Sequence, residues 1–297
     1  MTFLRTWLTL CRPSGLPTVW SNCLAGWWLA GGGNAGRLPL LFGGATMLYL
    51  GGAFLNDAFD AAYDHDHRRV RPIPSGRIRL ETVLWCGLAL LGIGALCLLW
   101  LGTVTGGLGL GLVVFIVSYN ALHRVLTFSA ALLGICRFFL YAIAASTAAS
   151  GVNGWSIWCG LALATYVAGT GWITRPETVA GPARYWPLVL LAAPVILAQI
   201  MDDNDFRQPA LLLSAVLLLW VLRSVRPTLW SADNDALAGA KLLPSPSIVL
   251  TAADLTAGIV LVDLLATTNP PKGIAFIFLM LFGAALLFQR PSRQRAV

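Results

Sequence analysis

The sequence predicts an all-α protein: a polytopic bundle of nine or ten membrane-spanning helices, built as a single domain over residues 1–297. Three observations predict it. Of the 297 residues, 57% are hydrophobic and only 11% are charged, which is more apolar surface than one water-soluble core encloses. Mostly apolar runs close to the ~20 residues that a spanning helix needs recur along the chain. Basic residues gather in alternate connections, as they do where cytoplasmic loops retain lysine and arginine.

The runs lie near residues 16–32, 38–55, 82–101, 103–122, 128–149, 154–173, 186–201, 209–222, 247–266 and 273–289. The seventh and eighth are short and the last two carry polar interruptions, so nine spans is the alternative to ten. With the N-terminus inside, the cytoplasmic face collects Arg5, Arg12, Arg68, Arg69, Arg71, Arg77, Arg79, Arg124, Arg175, Arg184, Arg223, Arg226, Lys241, Arg290, Arg293 and Arg295. Only Arg37, Arg207 and Lys272 fall to the other face, and Arg137 stays inside a span. An integral protein of a bacterial cytoplasmic membrane fits this layout, with its polar loops cytoplasmic. Membrane lipids, not nucleic acid, then account for the net charge of +7, because basic juxtamembrane loops suit anionic headgroups.

The first run follows a weakly basic start, yet no small-x-small cleavage site precedes a soluble domain, so it reads as a span. Cys11, Cys23, Cys86, Cys97, Cys136 and Cys159 occur singly without a C-x-x-C pair and read as small hydrophobes. Polar residues concentrate in the connections 56–81, 123–127, 174–185 and 223–246, while the acidic stretch 201–205 reads as a solvated outer loop.

One stretch carries chemistry. Asn56-Asp57-Ala58-Phe59-Asp60-Ala61-Ala62-Tyr63-Asp64 sets three carboxylates where an apolar run ends. At ~100° per residue, Asp57, Asp60 and Asp64 fall within about 60° of one another on a helix. Like charges resist that clustering unless a cation offsets it. Asp66 lies nearly opposite Asp57 and reads as solvated, and His65 and His67, two residues apart, diverge too far for a histidine metal site. A basic loop with helix-stopping prolines follows, from Arg68 through Arg71-Pro72-Ile73-Pro74-Ser75-Gly76-Arg77. Carboxylates that hold a cation, with guanidinium groups close behind, describe a site for a phosphate-bearing ligand. Oxygen-only ligation favours magnesium over zinc.

Asn56 to Asp64 resembles the N-D-x-x-D-x-x-x-D motif of the UbiA superfamily of intramembrane prenyltransferases, and Arg71 to Gly76 resembles the R-P-[IL]-P-S-G segment that follows it. Arg12-Pro13-Ser14-Gly15-Leu16-Pro17 is similar to the family's N-terminal R-P-x-x-L-P, and Tyr119 to Arg124 resembles its Y-x-x-x-K-R. The resemblance implies a prenyltransferase that binds a polyprenyl diphosphate through magnesium held by Asp57, Asp60 and Asp64. It also implies a central cavity in the bundle, a lateral apolar tunnel for the isoprenoid and a small acceptor, aromatic or hydroxylated, that attacks an allylic cation. Catalysis falls to Asn56 and the three aspartates, and substrate binding to Arg68, Arg71, Arg124, Arg137, Arg175 and Asn22.

The chain also departs from the family pattern. Where a second motif, D-x-x-x-D, is common, residues 170–178 keep only Glu177 as an acid. That loss, together with Arg137 in Gly134-Ile135-Cys136-Arg137, resembles a divergent, EboC-like branch. An unpaired guanidinium inside a membrane is costly, so Arg137 needs an anion. It is expected to hold the diphosphate with Arg175, to pair with Asp263 or Asp254, or to bind an acidic acceptor. Asn22 is expected to orient the acceptor or to bridge helices, His123 to contact phosphate or sit at the headgroup boundary, and Tyr141 and Tyr166 to pack or to stabilise a cation. The second functional class is a non-catalytic protein that binds isoprenoid phosphates or exports a lipid-linked metabolite.

Overall fold

The protein is described by a computed structural model that covers residues 3–126, 128–175, 178, 184–201, 207–229, 246–267 and 270–294. Glu177, Lys241 and the acids of 202–205 lie outside the described residues.

The described residues are helical and contain no strand. In order they form α1 (Phe3–Cys11), α2 (Leu16–Leu29), α3 (Leu38–Phe59), α4 (Ala61–His67), α5 (Leu80–Leu101), α6 (Thr103–Leu122), α7 (Ser129–Ser146), α8 (Gly154–Ile173), α9 (Pro187–Ile200), α10 (Arg207–Leu229), α11 (Pro246–Ala266) and α12 (Lys272–Gln294). Each apolar run of the sequence coincides with a helix. Eight of these helices are long and apolar enough to cross a membrane. The expectation of nine or ten exceeds that number because α2 and α9 have 14 residues each, about 21 Å at 1.5 Å per residue against a hydrocarbon core of ~30 Å. Pro194 also interrupts α9.

Consecutive helices pack side by side from α2 through α3, α5, α6, α7, α8, α9, α10 and α11 to α12, and α11 and α12 return to α2. The bundle is therefore closed, with α2 and α11 innermost. Both are buried nearly all round: Val19, Cys23, Leu24 and Ala25 of α2, and Leu255, Ile259, Val260 and Val262 of α11. Such helices can carry polar groups, because neighbouring helices shield them from lipid.

The α3–α5 seam depends on close backbone approach. A Cβ on Gly51 would stand 2.9 Å from the Gly87 carbonyl oxygen and 2.8 Å from Leu91 Cγ. Short amphipathic α1 lies against this pair, with Leu10 buried among Phe54, Ala58 and Val83 while Phe3, Leu4 and Leu8 face outward, the pattern of a helix lying in a membrane interface. At the other end of the bundle, Arg37 donates to the Leu101 and Thr147 carbonyls that end α5 and α7. One of the few basic residues expected on that face is thus used to cap helices.

Candidate functional site

The acidic motif stays on one continuous helical path. α3 ends at Phe59, but Asp60 N–H still bonds the Asn56 carbonyl at 3.0 Å and Asp64 N–H bonds the Asp60 carbonyl at 2.9 Å, so the backbone runs on into α4. The three carboxylates therefore keep their helical spacing. They are 5%, 5% and 1% exposed at Asp57, Asp60 and Asp64, a burial that ionised acids tolerate only with partners.

Those partners are guanidinium groups, in two sets. Arg12, at the junction of α1 and α2, donates to Asn56 Oδ1 at 2.6 Å and also to Asp57 Oδ1. Arg71 places Nη1 3.0 Å from Asp57 Oδ1 and 3.1 Å from Asp64 Oδ2, and Arg68 stands 3.9 Å from Asp64 Oδ1. Asp60 points elsewhere. Its Oδ1 receives Arg124 Nε at 2.6 Å and lies 3.0 Å from His123 Nε2. The guanidinium of Arg124 also rests 3.8 Å above the Tyr63 ring. The division follows from the helical wheel, on which Asp57 and Asp64 are about 20° apart and Asp60 is rotated from both. Burial raises the Asp60 pKa, but hydrogen bonds from His123 and Arg124 outweigh it and bring the carboxyl to about 2. Burial raises that of Asp64, against the lowering field of Arg71.

The sequence led us to expect a trio converging on one cation. Among the described residues no three His, Cys, Asp or Glu side chains stand together as a metal site, because arginines occupy the carboxylates. The donor set nevertheless fits magnesium chemically. It is all oxygen, and Asp64 Oδ1 is buried without a hydrogen bond.

Beside the motif opens a cavity of about 240 Å³. Arg12 and Asn56 form its polar mouth, Tyr49, Tyr119 and Asn120 line its flank, and its wall is apolar, with Ala45, Leu48, Leu112, Ile116, Leu133 and Leu140. Arg137 also lines it. The mouth is held in place: Arg12 is in the left-handed region, at φ 44° and ψ 58°, and the Tyr49 hydroxyl donates to its carbonyl at 2.7 Å. Such a backbone persists only where surroundings hold it. A Cβ on Gly15 would stand 2.8 Å from Tyr49 Cζ, so a larger residue there has to displace the Tyr49 ring.

Arg137 is anchored from behind. Its Nη1 donates to Asn22 Oδ1 at 2.8 Å and its Nη2 to Thr18 Oγ1 at 3.0 Å. Asn22 Nδ2 donates in turn to Asp263 Oδ2 at 2.7 Å, and the carboxylate also accepts from Ser21 and from the Tyr141 hydroxyl, each at 2.5 Å. Asn22 bridges helices, as one of its two expected roles required, and among the described residues Arg137 has no direct ion pair with Asp263 or Asp254. Arg175 donates to Ser129 Oγ at 2.7 Å and is not among the residues that line the cavity with Arg137. His123 reaches Asp60, while His65 and Asp66 are exposed.

Sequence reasoning did not single out Arg12, Tyr49 or Tyr119 as site residues. Tyr141 and Tyr166 instead point into the core, toward Asp263 and the Leu255 carbonyl. The available pointer was Arg12-Pro13, a cation placed directly before the first apolar run.

Comparison with known proteins matches residues 18–185 to the UbiA prenyltransferase family. Digeranylgeranylglyceryl phosphate synthase of Ignicoccus hospitalis is 34% identical over 125 residues, 42% of this chain and 37% of that protein, so the match spans little more than a third of the relative. A solved digeranylgeranylglyceryl phosphate synthase superposes with a TM-score of 0.59 at 18% identity, covering 97% of this chain and 100% of that one. A UbiA homologue from Archaeoglobus fulgidus, bound to DMAPP and magnesium, gives a TM-score of 0.58 at 15% identity over 95% of this chain and 98% of that one. These two likenesses concern the fold.

Proposed function

The chain belongs to the UbiA prenyltransferase family, and from that premise we propose that it is a magnesium-dependent intramembrane transferase. It moves a prenyl group from a polyprenyl diphosphate to a small acceptor, aromatic or hydroxylated. One observation carries this reading: buried aspartates meet partly exposed arginines at the mouth of a mainly apolar cavity, with Arg12 and Asn56 belonging to both. Phosphate chemistry at one end and room for hydrocarbon at the other suit a prenyl diphosphate.

Asp57, Asp60 and Asp64 would hold magnesium, which, when bound, offsets the charge that grows on the departing diphosphate. Arg12 and Arg71, which share Asp57, would bind the phosphate oxygens, and Arg68 and Arg124 would reinforce them. The carbon–oxygen bond of the donor breaks with its electron pair leaving on diphosphate. The acceptor then forms a bond to the allylic carbon and loses a proton. Leu48, Leu112, Ile116, Leu133 and Leu140 would keep water from the cation, with Tyr49 and Tyr119 on the same lining. The arginine-rich face is read as cytoplasmic.

The test is release of diphosphate. Purified protein in nanodiscs with magnesium, labelled farnesyl diphosphate and a mixture of hydroxylated aromatic acceptors is expected to liberate diphosphate, and Asp60→Asn to abolish that release. Retention of intact donor without release would mark a protein that binds isoprenoid phosphates and does not transfer them, a reading favoured by the single acid, Glu177, in residues 170–178.

A further inference from the structure

Arg137 retains donors that no group among the described residues uses. One Nη1 hydrogen goes to Asn22 and one Nη2 hydrogen to Thr18, which leaves the second hydrogen of each nitrogen and the Nε hydrogen without an acceptor among the described residues. The side chain borders the cavity between Leu133, Cys136 and Leu140. A guanidinium on such a wall, within a spanning helix, is costly unless an anion comes to it.

Its setting is rigid. The Asn22 amide has only one workable orientation here, because Arg137 solely donates and the Asp263 carboxylate solely accepts. The chain of bonds from Asp263 through Asn22 to Arg137 polarises in one sense. Thr18 gives its own hydrogen to the Gly15 carbonyl at 2.7 Å, leaving its oxygen to accept from Arg137. Asp263, at 0% exposure, thus balances Arg137 at a distance without covering its cavity side.

We propose that Arg137, positioned by Asp263 through Asn22, is an anion anchor inside the membrane that binds a carboxylate or phosphate monoester carried by the acceptor. The claim rests on the transferase reading and specifies its second substrate. The donor has its own partners: its diphosphate Arg12, Arg68 and Arg71, and its tail the α3 and α6 side of the cavity at Ala45, Leu48, Leu112 and Ile116, which leaves the α7 side at Leu133, Arg137 and Leu140 to the acceptor. An acceptor held by its anion at Arg137 extends through the same cavity toward Arg12 and Asn56, where the reacting carbon of the donor would lie.

The experiment measures binding and does not require turnover. Labelled benzoate, phenyl phosphate and benzamide, a neutral isostere of benzoate, are titrated by equilibrium dialysis against the full chain in nanodiscs. Magnesium-dependent binding of farnesyl diphosphate is measured on the same preparation. Wild-type protein is expected to prefer at least one of the two anions over benzamide by about tenfold or more, the size of a charge-assisted hydrogen bond. Arg137→Gln should erase the preference. Arg137→Lys keeps the charge without the planar fork and guards against misfolding of the glutamine variant; it should reduce the preference by several fold. Asn22→Ala, which cuts the relay, should reduce it as well. Farnesyl diphosphate binding is expected to change less than about threefold in these variants. Equal binding of anions and benzamide, or a preference that survives both Arg137 variants, overturns the anchor. So does a selective loss of farnesyl diphosphate affinity in the Arg137 variants, which would assign the guanidinium to the donor. Failure of the wild type to bind farnesyl diphosphate while it still prefers an anion would instead overturn the transferase reading and leave the anchor standing.

Discussion

Arg71 serves two aspartates with one nitrogen, its Nη1 lying 3.0 Å from Asp57 Oδ1 and 3.1 Å from Asp64 Oδ2. Its guanidinium sits between the two carboxylates and offsets their mutual repulsion. Without Arg71, Asp57 keeps Arg12, but Asp64 is left buried with only Arg68 at 3.9 Å. Arg71→Gln is therefore expected to destabilise the ligand-free protein by about 1–2 kcal/mol, since the side chain is partly exposed and solvent screens the loss. Added magnesium should raise the melting temperature of Arg71→Gln more than that of the wild type. Equal shifts would mean that Arg71 does not compete with the cation for these carboxylates.

Gly15 controls the mouth through a contact, not through charge. Gly15→Ala would set a methyl group against the Tyr49 hydroxyl and displace the bond that holds the Arg12 carbonyl. Diphosphate release is expected to fall by about 10- to 100-fold, as it does when positioning groups shift by an ångström. Tyr49→Phe, which deletes the bond without a clash, should cost only about 1 kcal/mol of that loss. If Gly15→Ala were as active as wild type, the Tyr49 contact would not set the position of Arg12.

Some of this site is legible in the sequence and some is not, for a reason that lies in chain distance. Asp57, Asp64 and Arg71 belong to one short stretch, so helical spacing and a following basic loop suffice to group them. Arg12 reaches Asp57 across 45 residues and Asn22 reaches Asp263 across 241. No local pattern encodes such meetings. Asp263 does announce itself as an acid within an apolar run, but which helix answers it depends on α2 and α11 sharing the centre of the bundle. The fold shows the same limit. Apolar runs locate the helices, whereas the shortness of α2 and α9 depends on where the chain turns at Ala30 and Met201. The rotation of Asp60 away from its two companions follows from the helical wheel. Its pairing with His123 and Arg124 requires the end of α6 to arrive beside it.

The α3–α5 seam gives a test of stability alone. Gly51→Val would drive its side chain into the Gly87 carbonyl and Leu91, forcing apart the helix that presents the acidic motif. Overpacking of this kind costs about 1–3 kcal/mol, so the melting temperature should fall by several degrees. Gly43→Ala, on the same helix with nothing within 4 Å of the added Cβ, is the matched control and should leave melting unchanged. Equal melting of the two variants would show that the backbones do not approach as closely as described.

The last expectation concerns the apolar half of the cavity. Ala45 lies on its wall at 1% exposure, beside Leu48 and facing Leu112 and Ile116 of α6. Ala45→Phe would fill much of the 240 Å³ while leaving the carboxylates and arginines of the mouth untouched. If the prenyl chain lies against this wall, the donor with five carbons should lose little, whereas farnesyl diphosphate should lose at least about 3 kcal/mol of binding, because each displaced methylene forfeits ~0.8 kcal/mol. Competition between the two labelled donors for diphosphate release measures the ratio directly. A uniform loss for both would trace the damage to the mouth, and no loss for either would put the hydrocarbon path somewhere other than this cavity.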